Sequence, residues 1–132
     1  MKLTKKQITT NEKIARDILA FLKQRYIWED VTLLFNDKAW SSLKQFCHQS
    51  GIEIEAPSKD EFGDTICGVY EYSNIDATRW EYSNPETITL LIDGISCDYF
   101  NECDTSKFDE LLAKYDMYCE AGTYTLLSIY PI

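Results

Sequence analysis

Apolar residues at positions 14, 18, 21 and 22, with Ala15 and Leu19 beside them, recur at the spacing of an amphipathic helix. Thr9-Thr10-Asn11-Glu12 supplies a capping hydroxyl with an acid behind it, so the pattern predicts a first helix over 10–25. Val31-Thr32-Leu33-Leu34-Phe35 is a short run of strand formers closed by Asn36-Asp37, and it reads either as a buried strand or as part of a connection between helices. Asp37 suits the N-cap of a second helix over 38–50, where Trp40, Leu43, Phe46 and Cys47 keep the helical period and Gly51 ends it. Ile52-Glu53-Ile54-Glu55 alternates apolar and acidic residues, as a half-buried strand does, before Pro57 and the polar run 58–63 make a loop.

Strand signal concentrates in the middle of the chain, over 65–72, 79–82 and 87–92, with turn residues Ser73-Asn74 and Ser83-Asn84-Pro85 between. This spacing predicts an antiparallel meander. Glu-Tyr-Ser-Asn occurs at 71–74 and again at 81–84; two copies are too few for a repeat architecture and read as two similar strand ends. Ser106 followed by Asp109 resembles a capping box, and Phe108, Leu111, Leu112 and Tyr115 carry a third helix over 107–117. After Gly122, the β-branched and aromatic run 123–130 predicts a final strand ending at Pro131. Grouped strands with helices before and after favour α+β: one domain over 1–132, with an antiparallel sheet of about four to six strands and two to three helices.

Composition changes this picture little. Hydrophobic residues at 45% and charged residues at 27% are ordinary for a soluble globular domain. No run approaches the roughly 18 apolar residues that span a bilayer, and Glu12, Lys13, Arg16 and Asp17 interrupt any signal-peptide core. The five cysteines are odd in number, scattered and free of Cys-x-x-Cys pairs, so they read as reduced thiols in a cytoplasmic protein, with Cys47 and Cys67 as small core residues.

Charge changes the picture more. Residues 1–25 carry seven Lys or Arg against two acids, whereas 26–132 carry six against twenty, about −14 within a total of −9. A basic first helix therefore precedes an acidic body. An acidic field repels phosphate backbones and anionic lipids and attracts cationic partners, which argues against direct nucleic-acid or membrane binding. The cations of the first helix read as a solvated face or as a counter-charge to the body. Many of the acids adjoin aromatics, as at Glu71, Tyr72, Trp80, Glu81, Tyr82, Asp98, Tyr99 and Glu102, and these eight are the candidate partner-binding residues. Strand alternation sends some of those aromatics inward.

Motifs for chemistry are missing. The one histidine, His48, follows Cys47 directly, and neighbours on a helix diverge by about 100°, which rules out a nucleophile and base pair on such a helix. His48, Cys97, Cys103 and Cys119 lack the close ligand pairs of a zinc site, and the five glycines are isolated from one another, so neither a metal nor a nucleotide cofactor is indicated. No catalytic residue is assigned. The leading expectation is a non-enzymatic inhibitor that covers a basic protein, a nuclease or nucleic-acid-binding protein among the candidates, as toxin-immunity proteins and anti-CRISPR or antirestriction inhibitors do. A small carboxylate-dependent hydrolase or nuclease, with Asp93 the first acid to inspect, and an adaptor whose acidity serves solubility are the alternatives. Nothing in the sequence fixes an oligomeric state.

Overall fold

The computed structural model describes residues 2–43, 46–47, 53–54, 57–59 and 65–132, with side chains for 2–43 and 68–132. A tight hairpin stands at its centre: strands β1 (Thr32–Phe35) and β2 (Lys38–Ser41) pair antiparallel from Phe35↔Lys38 to Thr32↔Ser41. Asn36 and Asp37 between them take φ of 51° and 58°. Two left-handed residues in succession make a type I′ turn, whose twist matches that of the strands it joins, and Asn and Asp tolerate that region best after glycine. The expected helix over 38–50 is thus corrected at its start, because turn chemistry at Asn36-Asp37 overrides a coincidental helical spacing of apolar residues. Further along, β3 (Phe46–Cys47) pairs with β4 (Glu53–Ile54) in a separate two-stranded ladder, as expected of a strand at 53–54. The rest of the expected helix, at 44–45 and 48–50, and His48 with it, lies outside the described residues, as do the side chains of Cys47 and Cys67.

The sheet grows outward from the hairpin. Strand β5 (Pro57–Lys59) takes the start of the expected loop, and residues 60–63 lie outside the described residues. Strands β6 (Thr65–Ser73), β7 (Thr89–Leu91), β8 (Met117–Thr123) and β9 (Leu126–Pro131) complete an antiparallel order β5-β6-β2-β1-β7-β9-β8. Six of these strands form the body of the sheet and three-residue β5 extends one edge, so the fold is the single α+β domain the pattern predicts. The meander is not formed: β6 joins β2 and β7 joins β1, on opposite sides of the hairpin.

Three other expectations are corrected. Residues 79–82 are not a strand, because Asp76 accepts the Thr78 N–H at 3.0 Å and caps a 3-10 turn, Ala77–Arg79, after which Tyr82 turns left-handed at φ 69°. The second Glu-Tyr-Ser-Asn therefore ends no strand. Helix α2 (Gly94–Glu102), for which the pattern predicts no element, follows β7, and its start is fixed by Asp93 and Ser96, which form a reciprocal capping box. The third helix, α3 (Ser106–Ala113), stops short of 117, and Met117 opens β8 after Asp116 takes φ 57°. The hairpin turn Tyr124-Thr125 then splits the expected last strand.

Helix α1 (Lys5–Gln24) begins earlier than expected, at a capping box in which Thr4 Oγ1 accepts the Gln7 N–H at 3.1 Å and Gln7 Oε1 accepts the Thr4 N–H at 2.8 Å. Its first turn holds Lys5, Lys6 and Gln7 and one exposed apolar residue, Ile8, so it adds no buried stripe to the helical pattern. Ile14, Ile18 and Leu22 pack with Phe108 and Leu112 of α3 on one sheet face, against Leu33, Trp40, Val69, Leu90, Leu127 and Ile129. The opposite face buries Leu34, Ala39 and Tyr72 under Ile75. Between them this second face carries buried hydroxyls at Thr32, Ser41, Thr89 and Ser128. Thr32 and Ser41 bond to each other at 2.8 Å, while Thr89 accepts the Asn84 N–H at 2.9 Å and Ser128 donates to the Tyr82 carbonyl at 2.6 Å. Irregular backbone over a sheet must have its polar groups satisfied, and Thr89 and Ser128 do so for the Asn84 N–H and the Tyr82 carbonyl.

Candidate functional site

The eight candidate residues separate into two groups. Tyr72 is fully buried, with its hydroxyl donating to the Leu43 carbonyl at 2.7 Å, because its position on β6 faces inward beside Ala39. Glu71 faces the other way and accepts the Trp40 indole N–H at 2.9 Å while Lys38 stands 3.3 Å off, an arrangement that ties β6 to β2. Tyr99 turns toward α1, edge-on to Phe21 at 6.2 Å and to Phe100 at 5.0 Å; burial raises its phenol above the ordinary range, against the opposing pull of Arg25. These three side chains are occupied in holding the fold.

The other five gather around the β8–β9 turn. Trp80 packs on the second core cluster while lining an open groove of about 420 Å³ with Glu81, Asp93, Thr123, Thr125 and Leu126. Tyr82 follows, 55% exposed. On the other side of the turn, Asn101 of α2 donates to the Tyr124 carbonyl at 2.9 Å and the Cys97 thiol donates to it at 3.4 Å, which fastens the turn to the helix that carries Asp98 and Glu102. Tyr124 itself is 58% exposed, and its phenol lies above the usual range through partial desolvation and then the nearby Glu102, Cys97 and Asp98. Sequence reasoning missed Tyr124 because residues 123–130 read as one strand. The turn signal was weak, with no Gly, Asn, Asp or Pro at 123–125.

A close approach fixes this arrangement. A Cβ on Gly122 would stand 2.3 Å from Tyr82 Cβ, so only glycine lets the 80–82 segment lie against β8. Among the described residues, Glu81, Asp98 and Glu102 enter no ion pair. Asp93 is committed to capping α2 through the Gly94 N–H at 2.8 Å, though it also stands at the groove.

The arrangement suits binding a cation-bearing surface. Leu91 and Leu126 give the groove an apolar floor, and Glu81 and Asp93 stand at its walls, so an Arg or Lys stem can cover the leucines while its head group meets carboxylate. The three cysteines whose side chains are described, Cys97, Cys103 and Cys119, are free thiols, and among the described residues no cluster of three or more His, Cys, Asp or Glu is placed to hold a metal ion. No described helix is long and apolar enough to cross a membrane. Comparison with known proteins finds no matching family model, no matching curated protein and no matching solved structure.

Proposed function

We propose that the protein is a non-enzymatic inhibitor that covers the basic, substrate-binding face of a partner protein in the cytoplasm. The observation that carries this reading is the β8–β9 turn, where Tyr82 and Tyr124 stand exposed among Glu81, Asp98 and Glu102, carboxylates without an ion pair among the described residues. Exposed tyrosines give rigid contact area at low entropic cost, and the carboxylates ringing them supply partners for Arg and Lys. A nuclease or other nucleic-acid-binding protein has the matching surface, since it must hold phosphates. The biological settings that use this physics are an immunity protein opposing a nuclease toxin and an anti-CRISPR or antirestriction protein presenting carboxylates where phosphates belong. A carboxylate-dependent enzyme has less support, because the groove acid Asp93 is taken up in helix capping.

Capture from native lysate tests the reading. The tagged wild-type protein is expected to retain a basic nuclease or nucleic-acid-binding protein at low salt, release it at high salt and inhibit its activity. The triple variant Glu81→Lys, Asp98→Lys, Glu102→Lys is expected to lose that protein while its unfolding free energy changes by no more than about 1.5 kcal/mol, or about 0.5 kcal/mol for each exposed substitution. Retention of the same protein by the triple variant, or capture of nothing basic by either, would overturn the proposal.

A further inference from the structure

The two outer strands of the sheet differ in composition. Strand β5 carries Pro57 and Lys59, residues that discourage another strand from adding. Strand β8 has no Pro, Lys or Arg in its seven residues, and β9 is its one sheet neighbour among the described residues. Its hydrogen-bond phase is fixed from both ends. Ile132 donates to the Asp116 carbonyl at 2.9 Å, while Ile129, opposite Cys119, donates away from β8 to Ile88 at 3.0 Å. Alternation along an antiparallel ladder then turns Tyr118 and Glu120 toward β9 and leaves the N–H and C=O groups of Met117, Cys119 and Ala121 pointing outward. Pro131, which has no N–H to give, stands opposite Met117, as that phase requires. The bulge between Ala121 and Thr123 disturbs the end of the strand and leaves the register from Met117 to Ala121 regular.

The side chains beside this edge select a partner. Tyr118, 45% exposed, stands with Tyr130 at a ring separation of 5.9 Å, and Glu120 on the same face is exposed. Asp116 precedes the strand, and Asp109 of α3 is close enough to act on the Cys119 thiol, which burial chiefly and then that carboxylate push up to about 11. We propose that the β8 edge is a docking strand for an extended basic segment, which adds to the sheet through the outward groups of Met117, Cys119 and Ala121. Arginines at alternate positions of that segment stack on Tyr118 and pair with Glu120. A second copy of the chain is disfavoured as the occupant, since each copy carries −9 and brings its own Asp116 and Glu120. The inference rests on the reading that the partner is basic and specifies how part of that partner is held.

Amide exchange of the whole protein, followed residue by residue by NMR, tests it with a short synthetic peptide of alternating arginine and valine. At saturation, exchange at Met117, Cys119 and Ala121 is expected to slow about tenfold or more. The same peptide with its strand-forming amides N-methylated keeps the charge, loses the donors, and is expected to bind about tenfold more weakly. Ala121→Pro removes one outward donor and Glu120→Lys reverses the adjacent charge; each is expected to weaken the unmodified peptide about fivefold. Glu120→Lys leaves every backbone donor in place, so it decides the matter if the proline variant fails to fold. No binding, equal binding of the N-methylated peptide, or unchanged exchange at the three amides overturns strand addition. If the lysate partner is still captured by Glu120→Lys under any of those results, the acidic-inhibitor reading stands and only the edge loses its role.

Discussion

The tetrapeptide Glu-Tyr-Ser-Asn appears twice in this chain, and its two copies have opposite fates. In the first, Tyr72 is fully buried and Glu71 is held between the Trp40 indole and the Lys38 ammonium. In the second, Tyr82 is 55% exposed and Glu81 stands at an open groove. The first copy lies on β6 between β5 and β2, where alternation drives one side chain into the core and the next to the other face. The second follows a capped 3-10 turn, and its tyrosine sits at φ 69°, outside any ladder. An acid beside an aromatic is therefore no functional signal by itself. What separates the two regions is whether the chain supplies the acid with a partner: Lys38 stands 3.1 Å from Glu12 and 3.3 Å from Glu71 at the hairpin, whereas Glu81, Asp98 and Glu102 have no ion pair among the described residues.

Trp40→Ala breaks the paired region most severely. It removes a buried ring packed edge-on to Phe35 at 4.8 Å and leaves Glu71 without its indole donor, so a loss of about 3–5 kcal/mol is expected in urea unfolding. A loss under about 1 kcal/mol would mean that the hairpin does not organise this core. Gly122→Ala acts on the other region by forcing Tyr82 off β8, at an expected cost of about 1–3 kcal/mol. Capture of the proposed basic partner should weaken with it; full stability together with full capture would show that the close approach at Gly122 is immaterial. Lys38→Met sharpens the contrast with the smallest change. It leaves Glu12 and Glu71 facing each other across a half-exposed site, and about 1 kcal/mol is expected to be lost, less at high salt, with capture unaltered. Loss of capture on this substitution would place the binding surface at the hairpin instead of the turn.

The sequence by itself determined the fold class, the body of the first helix from residue 10 onward, the long strand over 65–72 and the asymmetry of charge between the first helix and the rest. Hydrophobic periodicity and residue counts are local or additive properties, and they survive translation from chain to fold. Tertiary structure alone decided the pairing of the strands, because β6 and β7 could not be assigned to opposite sides of β1–β2 until Asn36-Asp37 was known to form a turn and not a helix cap. Contacts across long stretches of chain also decided which acids are spent. Glu71 meets Lys38, Tyr115 donates to Asp17 and is pushed up to about 12 by that bond, and Asn101 fixes Tyr124, each across a separation that no sequence window spans. Five of the eight candidate residues reached one end of the molecule because the 3-10 turn, α2 and the β8–β9 turn converge there. That convergence depends on a single missing Cβ at Gly122 and on hydroxyls buried beneath the 82–84 segment, features whose meaning appears only when the strands are side by side.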